Sequence, residues 1–367
     1  MPRLNAAEVD FRALFLADTP LMDVRAPVEY LQGAFPTSVN LPLMNDRERE
    51  AVGICYKEEG PDEALRLGHK LVRDDVKAAR LAAWTAFCHT HPTGYMYCFR
   101  GGQRSHITQA WLKEAGVDYP LIEGGYKALR RFLMEQTVEA AKLPMMLIGG
   151  NTGSGKTRLI KALPNGVDLE GAARHRGSSF GRMVAEQATQ IGFENQLAVD
   201  LLKCLDRGLG SLVLEDEGRI IGSAHVPLEL YQSMTEAKIA VIHDPVDVRL
   251  IRLREEYVDF MLDGFCKVYG EQHGWMQFAD YLRHGLFGIR KRLGMTRFQE
   301  ITELLESALV EHQQGQSADV HLRWLEPLLV EYYDPMYQYQ LSKKADRIGF
   351  TGTYQEVEDF LRSNTAP

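Results

Sequence analysis

Residues 144–157 read Pro-Met-Met-Leu-Ile-Gly-Gly-Asn-Thr-Gly-Ser-Gly-Lys-Thr, an apolar run followed by a glycine-rich loop. The last eight residues match the pattern G-x-x-x-x-G-K-[ST], and the sequence after them favours a helix. In this motif the backbone amides surround a diphosphate, the lysine neutralises it, and the final hydroxyl binds Mg²⁺. The stretch therefore predicts an α/β domain whose phosphate-binding residues are Gly150, Gly153, Ser154, Gly155, Lys156 and Thr157.

Acidic residues further along the chain are candidates for the metal. The apolar residues 212–214 are followed by three acids, of which we predict that Glu215 or Asp216 contacts Mg²⁺ together with Thr157. The alternative is a solvated turn before Gly218. Asp168 and Glu170, which we expect to end a short strand before Gly171, form a second candidate pair. The residues beyond them are candidate phosphate ligands or part of a solvated loop, namely Arg174, His175 and Arg176.

A second glycine-rich loop lies upstream, where residues 97–105 read Tyr-Cys-Phe-Arg-Gly-Gly-Gln-Arg-Ser. Backbone amides around Gly101 and Gly102 can surround an anion. Arg100, Arg104 and a helix that we expect to begin at residue 105 favour thiolate over thiol. We therefore predict that Cys98 is a nucleophile inside an anion site. The alternative is a buried strand-end cysteine before a tight turn.

Composition limits the classes of function. A chain of 367 residues, 45% apolar and 25% charged, predicts a globular protein of two domains or slightly more. Five scattered cysteines without a C-x-x-C pair fit a reducing compartment, and neither a signal pattern nor a membrane-length apolar run is present. These features predict a cytoplasmic protein that does not associate with membranes, and a monomeric state is compatible with them.

Any nucleic-acid site must be a local patch, because the net charge is −8. Our first candidate is the acid-free stretch 281–298, which carries Arg283, Arg290, Lys291, Arg292 and Arg297. A second candidate is the set Arg249, Arg252 and Arg254, and possible stacking platforms are Tyr332, Tyr333, Tyr337 and Tyr339. Solvated helix faces and an ordinary aromatic core are the alternatives.

Several stretches of the first third resemble rhodanese domains, which carry sulfur or a related chalcogen on a loop cysteine: residues 23–30 (Asp-Val-Arg-Ala-Pro-Val-Glu-Tyr), 33–36, 40–42, the cysteine loop and 123–126 (Glu-Gly-Gly-Tyr). One spacing differs, because Arg104 is six residues after Cys98 where the common loop has five. The spacing C-x5-R-S also occurs in cysteine-dependent phosphatases, although Tyr97 stands where those enzymes usually have histidine. Loop length alone therefore leaves open sulfur transfer, phosphate-ester hydrolysis, or chemistry on an anion that combines both features.

Essentially the full chain resembles the tRNA 2-selenouridine synthase family, through Cys98–Ser105, residues 123–127, residues 150–157, residues 168–170 and residues 175–181. The resemblance implies a bacterial enzyme that replaces sulfur by selenium in wobble 2-thiouridine of tRNA. Selenium comes from selenophosphate, and the route passes through an S-geranylated base made from geranyl diphosphate. Cys98 would take selenium as S-selanylcysteine while Arg100 and Arg104 hold the phosphate, and the phosphate loop would hold the diphosphate.

The predicted architecture is α/β throughout. We expect a rhodanese-like domain at residues 1–138, a P-loop domain at 139–255 and a helical extension of it at 256–367. The alternative function is a kinase-like P-loop domain fused to a cysteine phosphatase or sulfurtransferase. A third, non-enzymatic possibility is a nucleotide-gated binding module.

Overall fold

The computed structural model describes residues 9–364, which separate into two compact units. The first contains the residues up to Thr137 together with Thr189–Lys203. The second contains Val138–Ala188 together with the residues from Cys204 onward. Nothing in the sequence indicated that residues 189–203 belong with the first unit, and the domain limits given above stay predictions.

The first unit contains a three-stranded parallel sheet, in the order β2–β1–β3, formed by β1 (Leu21–Asp23), β2 (Ser38–Asn40) and β3 (Tyr95–Tyr97). Met22 and Met96 pack on one face with Trp84, whereas Leu21 and Tyr97 pack on the other. The helices are α1 (Phe11–Leu16), α2 (Pro27–Gln32), α3 (Asp46–Glu58), α4 (Pro61–Leu71), α5 (Asp74–Thr90), α6 (Gln103–Glu114) and α7 (Gly125–Ala140). Since parallel strands end at one edge, the segments that follow β1 and β3 emerge side by side.

The second unit contains a five-stranded parallel sheet, in the order β10–β9–β4–β6–β5. Its strands are β4 (Met145–Gly150), β5 (Gly166–Val167), β6 (Leu212–Glu215), β9 (Lys238–Ile242) and β10 (Ile348–Gly352), and β7 (Ile220–Ile221) pairs with β8 (Ala224–His225) separately. The central strand β4 leads into the phosphate loop. The predicted α/β class is confirmed, although β10 lies in the part, residues 256–367, that we expected to be a helical extension.

The helices of the second unit are α8 (Lys156–Ala162), α9 (Leu169–Ala173), α11 (Leu228–Glu236), α12 (Val246–Arg254), α13 (Phe260–Tyr269), α14 (Glu271–Leu293), α15 (Met295–Gln313), α16 (Leu322–Leu328), α17 (Asp334–Ser342) and α18 (Tyr354–Ser363). Helix α10 (Gln190–Asp206) belongs to the first unit up to Lys203. Short 3₁₀ turns span Ala318–His321 and Ala345–Arg347. Two π-helical turns, Glu255–Asp259 and Leu329–Tyr333, interrupt the α-helical geometry. Such turns are rare and often occur at functional sites.

Helix α14 runs without a break through Gly285 and Gly288. A Cβ atom on Gly285 would lie 2.4 Å from Cδ1 of Phe180, and one on Gly288 would lie 2.4 Å from Oγ of Ser179. These glycines therefore admit the segment around Phe180 instead of ending the helix. Within the described part of the chain, no helix is both long and apolar enough to cross a membrane.

Candidate functional site

Cys98 follows β3 directly and is 2% exposed. Its Sγ lies 3.3 Å from Oγ of Ser105, and that hydroxyl lies 3.0 Å from the carbonyl oxygen of Gly102. Helix α6 begins at Gln103, two residues earlier than predicted, so Ser105 lies inside its first turn. The sequence predicted Ser105 only as the start of a helix, whereas the structure makes it the hydrogen-bond partner of the thiol.

The Cys98 loop favours the thiolate. Burial disfavours the charged form, but the Ser105 hydroxyl, the amides of Ser105 and Arg100, and the charge of Arg104 outweigh it and lower the pKa of Cys98. Burial raises the pKa of Cys88 to about 11. Desolvation and nearby carboxylates likewise raise the pKa of the thiols at positions 55 and 266. Of these four thiols, Cys98 is the one poised to react.

The two arginines of the loop differ in their surroundings. Arg104 donates two hydrogen bonds to Glu29 of α2, at 2.5 and 3.1 Å. Burial opposes ionisation of Glu29, but Arg104 and the amide of Ala26 lower its pKa overall. Arg100 is exposed, and within residues 9–364 it has no ion-pair partner. Arg104 is therefore held in place by Glu29, and Arg100 is free to meet an incoming anion.

The loop at residues 123–126 packs against the Cys98 loop. The amide of Tyr126 donates to the carbonyl oxygen of Cys98 at 2.8 Å. A Cβ on Gly125 (φ +56°) would lie 2.3 Å from that same oxygen, and one on Gly101 (φ +65°) would lie 2.7 Å from the amide nitrogen of Gly124. The two loops thus pack backbone against backbone, which only glycine permits at these positions.

Tyr97, the residue before the nucleophile, is fully buried. Its hydroxyl donates to Oδ2 of Asp23 at 2.8 Å, and Arg25 binds the same oxygen at 2.6 Å. Burial and the Asp23 charge raise the pKa of Tyr97 far above its usual value, so the hydroxyl stays protonated. Tyr97 therefore anchors the end of β3 and cannot act as the histidine of a phosphatase dyad does.

The phosphate loop has the predicted conformation. Three glycines have positive φ angles, +142°, +77° and +85°, at Gly150, Gly153 and Gly155. Helix α8 begins at Lys156, whose Nζ donates to the carbonyl oxygens of Gly150 (2.9 Å) and Asn151 (3.5 Å). A bound phosphate would replace these carbonyls as the partner of the ammonium group.

Helix α12 holds the phosphate loop from outside. Arg252 donates to the carbonyl oxygen of Ser154 at 2.9 Å and pairs with Asp244. Arg249, 4% exposed, pairs with Asp334, which also accepts a hydrogen bond from Asn151 of the loop. The third arginine of this set, at position 254, pairs with two aspartates. The interpretation of these arginines as a basic surface is therefore wrong.

Thr157 contacts an acid other than Glu215 and Asp216, the two that we predicted first. Its hydroxyl donates to Oε2 of Glu170 at 3.2 Å. Glu215 is fully buried, and burial with the nearby charges of Asp168 and Glu170 raises its pKa far above the usual value. Asp216 forms an ion pair with Lys344 at 2.8 Å. The pair Asp168 and Glu170 was named from sequence, but as the end of a strand, whereas Asp168 caps α9.

These oxygens fit Mg²⁺. The donor set consists of the Thr157 hydroxyl and the Glu170 carboxylate, and Oε1 of the neighbouring Glu215 has no hydrogen-bond partner. Among residues 9–364, no group of three or more acid, histidine or cysteine side chains is placed to hold a metal ion. Mg²⁺ usually keeps several waters and is bound by one or two carboxylates plus substrate phosphates. A metal here would thus bind together with the diphosphate.

The stretch 281–298 is only partly a free basic surface. Arg283 is paired with Glu306, and Arg297 with Glu300 and Glu331. Three cations remain at the end of α14, namely Arg290, Lys291 and Arg292. Of the four candidate stacking tyrosines, Tyr333 is buried and Tyr339 is exposed.

The geometry defines an α/β protein with a reactive-cysteine loop in one unit and a P-loop in the other. A sequence-family model described as the tRNA 2-selenouridine synthase AAA domain matches residues 143–366. Curated relatives named tRNA 2-selenouridine synthase include those of Photobacterium profundum, 59% identical over 98% of this chain and 99% of the relative, and Serratia proteamaculans, 58% identical over 96% and 95%. The chain belongs to the tRNA 2-selenouridine synthase family.

A third relative with the same name, from Salmonella schwarzengrund, is 57% identical over 96% of this chain and 98% of the relative's length. Among solved structures, the N-terminal domain of a Clostridium difficile 630 protein described as ATP/GTP-binding is 30% identical over 32% of this chain and 90% of its own. Its TM-score of 0.28 is too low for a comparison of folds.

Proposed function

We propose that this chain replaces sulfur by selenium in wobble 2-thiouridine of tRNA, using geranyl diphosphate at the phosphate loop and selenophosphate at the Cys98 loop. The observation that carries the proposal is the presence of two anion sites of different chemistry in one chain. One offers a thiolate with a free arginine, and the other offers loop amides with a lysine but no nucleophile. A chalcogen donor suits the first site, and a diphosphate leaving group suits the second.

In the first step, the sulfur of 2-thiouridine attacks C1 of geranyl diphosphate. The S–C1 bond forms, the C1–O bond breaks with its electron pair going to the diphosphate, and the N3 proton passes to solvent. Lys156 and the loop amides stabilise the charge that develops on the diphosphate. Mg²⁺ at Thr157, with Glu170 beside it, would neutralise more of that charge. Glu215 and Asp216 stay our sequence-based candidates for the same ion.

Aromatic side chains beside Lys156 favour an isoprenoid over a simple phosphate. Nζ of Lys156 lies 5.4 Å from the centre of the Tyr337 ring. The two π-helical turns carry Tyr257 and Tyr333, which belong to one hydrophobic cluster against which Tyr337 packs. Tyr333 is 3% exposed, and its hydroxyl has no hydrogen-bond partner. We assign this aromatic wall, formed by Tyr257, Tyr333 and Tyr337, to the geranyl chain. The faces of the rings would stabilise the cation that develops at C1 of that chain.

In the second step, Cys98 is the nucleophile that acts on selenophosphate. Arg100 and the amides around Gly101 and Gly102 hold the phosphate, and Arg104 supplies a fixed positive charge. The selenium released here then replaces the geranylated sulfur at C2 of the base. The RNA would be held by local cations, of which those at the end of α14 are our first candidates.

Nucleoside mass spectrometry tests the proposal. Purified chain, tRNA containing 2-thiouridine and geranyl diphosphate should yield S-geranyl-2-thiouridine, and adding selenophosphate should yield 2-selenouridine. Cys98→Ala should stop the two-step reaction at the geranylated base. ATP turnover without tRNA, combined with no change in the nucleosides, would instead support the kinase-like alternative.

A further inference from the structure

An aromatic ring lies on the surface of α14 with an arginine stacked on it. Phe287 is 51% exposed. Cζ of Arg290 lies 3.7 Å from the centre of the Phe287 ring, and Nη1 of Arg290 donates to the carbonyl oxygen of Phe287 at 3.0 Å. The ring of Phe298, in α15, meets the Phe287 ring edge-on, with 6.3 Å between the ring centres. The guanidinium is therefore fixed on the ring, while about half of the phenylalanine remains in contact with solvent.

The charges around this ring are positive and unpaired. Lys291 and Arg292 are exposed, and within residues 9–364 neither of them nor Arg290 forms an ion pair. The chain has no acidic residue from position 281 to position 299. A partner that offers both flat rings and negative charges fits such a surface, and unpaired nucleotides of RNA offer both.

We propose that Phe287 and Arg290 form a platform on which an unpaired nucleotide of the tRNA stacks, with Lys291 and Arg292 at the adjoining phosphates. This inference rests on the proposed function and names the part of the surface that holds the RNA loop. A guanidinium is planar and stacks on flat rings, which an ammonium group does not do. Because Arg290 is already held against Phe287, it loses little conformational freedom when a base stacks on the pair.

The loop at residues 174–182 connects this platform with the phosphate loop. The amide of Gly177 donates to Oε1 of Glu170 at 2.6 Å, and Oε2 of the same carboxylate accepts from Thr157. Ser179 donates to the carbonyl oxygen of Gly285, one helical turn or less from Phe287. Residues 177 and 179 are at most about 7 Å apart, because neighbouring Cα atoms are separated by about 3.8 Å. A base stacked on the platform and a base at the phosphate loop can therefore belong to one RNA loop.

Binding of tRNA that contains 2-thiouridine separates stacking from charge. Arg290→Lys keeps the charge but removes the planar group, so it should weaken binding about tenfold without changing the dependence on salt. Phe287→Leu should weaken binding to a similar extent, again with the salt dependence unchanged, whereas Phe287→Trp should bind as the wild type does. Lys291→Gln should instead reduce the salt slope, because it removes a phosphate contact. Filter binding over a range of salt concentrations gives both quantities.

A matched control is Arg283→Lys, because Arg283 lies on the same helix but is bound to Glu306 through two nitrogens, and its replacement should leave RNA binding unchanged. If Phe287→Leu proves less stable to heat than the wild type, Arg290→Lys still decides, since it leaves the contact between Phe287 and Phe298 in place.

Unchanged tRNA affinity in both Phe287→Leu and Arg290→Lys would overturn the platform. Binding of the chain to anionic phospholipid vesicles that depends on Phe287, with RNA binding unaltered, would also overturn it and assign the ring to a lipid surface. A wild-type chain that binds tRNA through these residues, but changes no nucleoside when geranyl diphosphate and selenophosphate are supplied, would overturn the proposed function and leave the platform standing.

Discussion

Glu29 binds Arg104 through both carboxylate oxygens, at 2.5 and 3.1 Å, across 75 positions of the chain. Because the pKa of Glu29 is lowered in the fold, the pair contributes stability above the usual pKa of 4.5, and that contribution is lost as the pH falls below it. Glu29→Gln should lower the free energy of unfolding at pH 7 by about 1–3 kcal/mol and flatten its decline in acid. Chemical denaturation at several pH values measures both effects.

The thiol of Cys98 should titrate below the ordinary value of 9.0, because loop amides and Ser105 stabilise its thiolate. The pH dependence of iodoacetamide alkylation measures this, with Cys98→Ala to identify the signal. Ser105→Ala should raise the apparent pKa, because one donor to the thiolate is lost. An unchanged profile in that variant would mean that the hydroxyl serves only Gly102. The other four cysteines should be replaceable with little loss of selenium incorporation.

Lys156→Ala should block geranylation while leaving alkylation of Cys98 unchanged. Loss of one charge-assisted contact to the diphosphate costs about 1.5–3 kcal/mol, which corresponds to a decrease of about ten- to a hundredfold in affinity or rate. Lys142→Ala is a matched control, because Lys142 is exposed and paired with Glu139 outside the loop. Normal geranylation by Lys156→Ala, with loss of ATP binding only, would contradict this role of the loop.

Replacing the ring of Tyr337 should distinguish binding of the geranyl chain from binding of the diphosphate group. Tyr337→Leu should weaken binding of geranyl diphosphate about tenfold and leave inorganic diphosphate binding unchanged, because the ring is assigned to the hydrocarbon alone. Tyr337→Phe keeps the ring face and should behave as the wild type. Isothermal calorimetry with the two ligands gives the comparison. Equal weakening of both ligands would instead place Tyr337 against the phosphates.

Neutralising Arg290, Lys291 and Arg292 together should weaken tRNA binding and reduce its dependence on salt, because each lost phosphate contact removes one released counterion. Filter binding across a range of salt concentrations measures both quantities. The matched control neutralises Arg283 and Arg297, which already pair with glutamates and should matter little to RNA. An unaltered affinity and salt slope in the triple variant would show that the end of α14 is an ordinary solvated helix end.

The chain itself determined the features that depend on neighbouring residues. The glycines at positions 101, 150, 153 and 155 could be read directly, because their positive φ angles are local demands of the backbone. The strand around Leu147 was equally visible, since a buried strand is a short apolar run. The thiol at position 98 could be singled out as the one beside glycines and arginines; its lowered pKa supports its role as the nucleophile, which stays a prediction.

Only the tertiary structure decided which charges stay free. Arg104, Arg249, Arg252, Arg283 and Arg297 were all candidate anion-binding or basic-surface residues in the sequence, yet each is paired with an acid from a separate helix or segment. Distant partners leave no trace in local composition, because an ion pair depends on two atoms within about 4 Å and not on spacing along the chain. For the same reason, Glu170 at Thr157 and the aromatic wall beside Lys156 became visible only when the second unit was folded.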